Sequence, residues 1–337
     1  MRGQRGFTLV ELMISLVLFS FAVAGVLAIA VSLTQGFREQ RQAVATETSA
    51  RVPLDFIADA IRQASPAVSD FTKVQDSVTG SIGAISMTNN TTAPDRLDLI
   101  YASGGVVTSA AVAYNSFDTT MTVVDGSQLA AGDYVLISNL NYGHLVKIDS
   151  KSGVNTLNLA PMCGTNQVAQ TYPIGSLVIR AQHATFSIGV DLQDSVPTLM
   201  MDPDSDGKEW DGVTDAPCKN SASAPAEPLA EGVEDLQVAF GIDSGTDGVL
   251  ELGAGANDDE WIPNVSGETL PVTLGAFTGT MRAVRVTLIA RAEQQLIGAV
   301  NLFGRPAAED HAAGSADAFR RRVLRTIVEI RNTGVSP

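Results

Sequence analysis

Residues 1–33 read MRGQRG followed by FTLVELMISLVLFSFAVAGVLAIAVSL, with the break between Gly6 and Phe7. The short leader holds Arg2 and Arg5 and no acid. From Phe7 to Leu33 the only charge is Glu11, and there is no proline. As an α-helix this apolar run spans about 40 Å, enough to cross a bilayer with some tilt. The arginines ahead of it keep the N-terminus in the cytoplasm, so the chain beyond Leu33 is expected to be exported. Ala22-Val23-Ala24 has the form of a secretory cleavage site. Apolar sequence nevertheless continues past it to Leu33, and a signal core rarely holds a Glu. A plain membrane anchor has no reason to hold one either, because an acid inside a membrane helix costs about 3 kcal/mol. Glu11 is therefore the first candidate functional residue.

Gly6-Phe7-Thr8-Leu9-Val10-Glu11-Leu12 resembles the class III signal of type IV pilins and type II secretion pseudopilins. The resemblance implies that a prepilin peptidase cuts after Gly6 and methylates the new N-terminal Phe7, which makes residues 1–6 a leader peptide. Glu11 becomes the fifth residue of the mature chain, and the resemblance assigns it to filament assembly.

Beyond Leu33 the pattern turns amphipathic and continues to about Ala64. Pro53 is expected to kink or restart this helix. Leu54, Ile57, Ala58 and Ile61 recur at helical spacing and should pack on the head. The stretch from Leu54 to Ala64 resembles the end of the long helix in PilW-like and GspJ-like proteins. From Ser65 onward the chain reads as strands and turns. Apolar residues alternate with polar ones at Leu97, Leu99 and Tyr101, at Leu236, Val238, Phe240 and Ile242, and at Val284, Val286, Leu288 and Ala290. This predicts antiparallel strands with one wet face, on which Arg285, Thr287 and Arg291 lie. A last strand is expected from about Val323 to Ile330. The segments Gly232–Leu236, Ala283–Val286 and Phe319–Arg331 resemble the strand order of PilW-like minor pilins. Residues 115–180 read as an inserted β subdomain, and 202–228 and 243–260 as loops. The expected fold is α+β. A long N-terminal helix occupies 7–64, with its transmembrane part at 7–33, and packs on a large antiparallel β-rich head at 65–337.

The chain holds 37 acidic and 22 basic residues, for a net charge of −15. Such a surface repels phosphate, which argues against nucleic-acid binding. In an exported protein the only two cysteines, Cys163 and Cys218, are expected to form one disulfide. Asp202, Asp204 and Asp206 stand at alternate positions before Gly207, the spacing of a calcium loop. Val213 occupies the place of the expected bidentate acid, so Glu209, Asp211 or Asp215 would have to serve. A calcium ion held by Asp202, Asp204, Asp206, Glu209 and Asp211 is one expectation, and a solvated acidic turn is the other. Asp243, Asp247, Gly248 and Glu251 form a looser candidate. His144, His183 and His311 share no metal-ligand spacing. No G-x-S-x-G, H-E-x-x-H or Walker A pattern is present, and no enzymatic role is expected.

The resemblance implies a structural role. The head is bulky for a subunit repeated along a thin filament, which points to a low-copy minor pilin that primes pilus assembly at or near the tip. Its partners would be the prepilin peptidase, other minor pilins, the major pilin and a tip adhesin. It would sit in the inner membrane with its head in the periplasm, and then in the pilus at the cell surface. The alternatives are a GspJ-like type II secretion pseudopilin and a membrane-anchored binding protein or enzyme that never polymerises.

Overall fold

The structure is a computed structural model and describes residues 8–77, 83–160, 169–190, 196–203, 226–244, 247–251, 260–265, 268, 280–295 and 303–330. The chain divides between Ala45 and Thr46 into two compact units. One helix, α1, runs from Leu9 to Arg62. At 54 residues it measures about 80 Å. It passes through Pro53 without ending, so Pro53 does not restart it. The proline costs one backbone hydrogen bond in the middle of a turn, and buried neighbours on both sides hold that turn in place.

Those neighbours are the apolar residues of the helix's C-terminal part. Ala50, Leu54, Ile57, Ala58 and Ile61 recur at intervals of three and four, and all are buried in the main core. A 3-10 turn (Phe71–Lys73) follows, and the rest of the described head is β.

The first strands are β1 (Val74–Asp76), β2 (Ile85–Thr88), β3 (Arg96–Ser109), β4 (Tyr114–Asn115), β5 (Thr120–Thr122) and β6 (Tyr134–Ser138). Next come β7 (Gly143–Lys151), β8 (Thr156–Leu159), β9 (Thr171–Tyr172), β10 (Leu177–Val190), β11 (Pro197–Asp202) and β12 (Glu227–Glu231). The C-terminal part adds β13 (Val233–Asp243), β14 (Trp261–Ile262), β15 (Thr280–Arg291), β16 (Phe303–Gly304), β17 (Ala316–Asp317) and β18 (Arg321–Glu329). A ten-stranded sheet follows the order β12-β11-β10-β6-β7-β8-β5, with β3 and β2 paired beyond β10 and β1 parallel to β7. A second sheet, β14-β13-β15-β18, is antiparallel throughout.

Two long strands organise the first sheet. The first half of β10 pairs with β6, and its second half, from Thr185 to Val190, pairs with β11. β3 lies along β10 but carries extra residues where Ile179 faces Val107 and Ala181 faces Ala102. Gly104 and Gly105 sit in that bulge with φ of +73° and +65°, backbone that a side chain resists.

Among the described residues the sheets form two large apolar cores and a small third cluster of Ala239, Trp261 and Ala283. The main core joins α1 from Ala50 onward to Leu97, Leu99 and Phe186 of the first sheet and to Leu236, Phe240, Val286 and Val328 of the second. A separate core gathers Tyr114, Val135, Ile137, Val146, Leu157 and Tyr172, all within the span 110–178.

The alternation in β13 and β15 is as expected on its inner face. Its outer face differs. Asp235, Gln237 and Thr287 are fully buried and Arg285 is nearly so. The segment from Phe303 to Asp317 lies over this face and bonds to it through polar side chains. The polar period-2 positions therefore meet buried partners rather than water.

Candidate functional site

The helix start is built by a reciprocal pair of hydrogen bonds. Thr8 Oγ1 accepts from the Glu11 backbone N–H at 3.3 Å, while Glu11 Oε2 accepts from the Thr8 N–H at 3.0 Å and from the Thr8 hydroxyl at 2.9 Å. This is a capping box, in which two side chains satisfy backbone donors that the first helical turn leaves free. Thr8-Leu9-Val10-Glu11 has the required spacing. Glu11 thus combines the only charge of the apolar run with a fixed place at its mouth. Gly6 and Phe7 lie outside the described residues.

From Leu9 to Leu33 the large apolar side chains point outward; Phe19 and Phe21 are 69% and 73% exposed. The helix is long and apolar enough to cross a membrane. An exposed surface of this kind requires lipid or other apolar helices around it.

The other candidates fall differently. Cys163, Cys218, Asp204, Asp206, Glu209 and Asp211 lie outside the described residues. Asp202 ends β11 opposite Thr185, is 5% exposed, and lies within electrostatic reach of His183. Among the described residues no three His, Cys, Asp or Glu side chains are grouped so as to hold a metal ion. In the looser acidic segment, Asp243 Oδ2 accepts from Gly248 N–H at 2.9 Å and pairs with Arg282 at 2.5 Å. Glu260 accepts from the backbone N–H of Ser244 and of Glu251. These acids tie the loop together.

All three histidines are interior. His144 packs against Tyr114 and Tyr172 of the second core, the three rings forming a triangle, and burial lowers its pKa to about 4 against an opposing pull from Asp76. His183 Nδ1 lies 2.8 Å from Asp76 Oδ2. Burial disfavours its charged form, but Asp76, Asp98 and Asp202 outweigh that and raise its pKa. His311 Nδ1 lies 3.0 Å from Asp235 Oδ2.

A cluster beneath the segment from Phe303 to Asp317 escaped sequence reasoning. Glu309 is gripped by the Arg285 guanidinium, by the Thr287 hydroxyl at 2.9 Å and by Arg325 at 3.3 Å. Arg285 also stacks over Trp261 at 4.4 Å. Arg305 pairs with Asp235 at 2.5 Å. The available signal was a polar outer set, Asp235, Gln237, Arg285 and Thr287, in strands of otherwise unbroken apolar character.

Two family models match the chain. The prokaryotic N-terminal methylation motif covers residues 1–27, and type IV pilus-assembly protein W (PilW) covers residues 185–332. No curated protein and no solved structure matches. The first match contains the capped start of the apolar helix. The second contains the latter part of β10, the whole sheet β14-β13-β15-β18 and the segment over its outer face. Over these two stretches the chain is similar to type IV pilus-assembly protein W and carries the N-terminal methylation motif, and together the matches support a type IV pilus-related pilin.

Proposed function

We propose that the chain is a low-copy minor pilin that primes pilus assembly at or near the filament tip. The observation carrying this reading is the helix, which begins at a methylation motif with one acid and ends buried in a large β head. Cleavage after Gly6 leaves a positive amine on Phe7 among apolar helices. Glu11, four residues on, is close enough to offset that charge in its own chain or a neighbour's. Before assembly the helix holds the subunit in the inner membrane with its head in the periplasm, and the prepilin peptidase processes it there. In the filament its partners are other minor pilins and the major pilin. A broad head suits the end of a filament, where one side need not be repeated.

Mass spectrometry of the chain recovered from sheared pili tests this reading. The expected N-terminal peptide starts at a methylated Phe7, in an amount far below that of the major pilin. A chain starting at Met1, or one absent from pili and found only in membranes, would refute it. Recovery from a type II secretion pseudopilus would give the place to the pseudopilin reading.

A further inference from the structure

The segment Phe303–Asp317 is a strap closed at its base by the pairing of β16 with β17. Ala308 is its one buried apolar side chain, so polar contacts hold it down. From the strap come Arg305, Glu309, Asp310 and His311. From β13 come Asp235 and Gln237. β15 and β18 supply Arg285 and Arg325. The turn ahead of β3 supplies Asp95, together with Asn89, whose amide donates to Asp310 Oδ2 at 2.8 Å. Glu309 lies between two arginines. The other half of the cluster is richer in acids: Asp235 pairs with Arg305 and the His311 ring, while Asp95 lies within electrostatic reach of both Asp235 and Asp310. Asp310 Oδ1 has no hydrogen-bond partner among the described residues.

Asp95 stands where the two sheets meet. Its backbone N–H donates to Leu236 O at 2.8 Å, and its carboxyl accepts from Val238 N–H and Asn90 N–H, each at 2.9 Å. It therefore continues the ladder of β13, in the same turn that Asn89 ties to the strap.

We propose that the strap is a pH-set latch, closed while Asp95 is protonated and loosened when Asp95 ionises and repels Asp310 and Asp235. Burial is the main cause that raises the Asp95 pKa to about 7, and the two acids add to it against the backbone hydrogen bonds. A closed strap binds the Asp95 proton more tightly than an open, hydrated one. Closure is therefore favoured at low pH and loses that advantage as pH rises through 7. Loosening releases Gln237 from His311 and Thr287 from Glu309.

Amide hydrogen exchange of the full chain in detergent, read by mass spectrometry at pH 6 and pH 8.5, tests the latch. After correction for intrinsic exchange rates, peptides from the strap are expected to open about tenfold more often at pH 8.5, given a hydrated Asp95 near its ordinary value. Peptides from β7 and β8 should not change. Asp95→Asn keeps a side-chain oxygen for the Val238 N–H and removes the titrating group, so it should flatten the pH dependence of the strap, whereas Asp310→Asn keeps the contact to Asn89 and should only reduce it. Equal opening at both pH values, an undiminished dependence in Asp95→Asn, or the same change throughout the head would each overturn the proposal.

Discussion

At the scale of the residue, Glu11 combines two properties, a cap and a charge. As a cap it bonds to Thr8, and in the proposed function its charge offsets the amine that cleavage leaves on Phe7. Single substitutions separate these roles. Glu11→Gln keeps a side-chain oxygen for the Thr8 N–H but loses the charge; Glu11→Ala loses both. If charge governs assembly, both variants should be processed, keep a folded head, and be recovered from sheared pili at comparably reduced levels. Thr8→Val, which leaves the carboxylate in place, should be recovered at levels closer to wild type. Quantitative immunoblots of sheared pili provide the readout. Glu11→Gln at wild-type levels, with only Glu11→Ala depleted, would assign the residue's importance to the cap instead.

At the scale of the element, the helix divides its apolar residues between two environments. Phe19 and Phe21 are exposed near one end, while Ile57 and Ile61 are almost completely buried near the other. Ile57→Ala should therefore cost about 3 kcal/mol of head stability, through lost burial and the cavity left behind. Val52→Ala, at a position 68% exposed, should cost no more than about 0.5 kcal/mol. Urea midpoints of the two variants check the contrast. This division was legible in the sequence, because the spacing of Leu54, Ile57, Ala58 and Ile61 marks a face by local periodicity alone. The inner faces of β13 and β15 were legible for the same reason. Their outer faces were not. Alternation reveals that Arg285 and Thr287 point away from the apolar core, but cannot reveal what lies over them. That depends on a segment that returns from residue 303 onward, and on ion pairs between residues far apart in sequence, such as Arg305 with Asp235. The second half of β10 was missed for a related reason: one strand changes partners midway, and no local pattern records the change.

At the scale of the whole molecule, buried titratable groups with opposing effects shape stability against pH. His144 has its pKa lowered to about 4, so between its ordinary 6.5 and that value the unfolded chain binds the extra proton. Its contribution to stability falls as pH falls through this window. Asp95 has its pKa raised from 3.8 to about 7, so the folded chain binds the extra proton, and its contribution falls as pH rises through nearly the same window. Between about pH 4.5 and 6.5 the two slopes oppose and nearly cancel. His183, with a raised pKa, contributes stability that is fully present below 6.5 and lost only as pH rises through its folded value, so it adds no slope within this window. The folded chain should therefore show a nearly flat stability from pH 4.5 to 6.5 and a decline above it. His144→Gln removes one of the two opposing groups at similar side-chain volume. Whatever its overall cost, the variant should lose stability with rising pH at close to 1.4 kcal/mol per unit, about the slope of one linked proton. Urea unfolding of the full chain in detergent at pH 4.5, 5.5 and 6.5 measures both slopes. A variant whose stability runs parallel to wild type across these three points would mean that His144 is not held neutral by its burial beside Tyr114 and Tyr172.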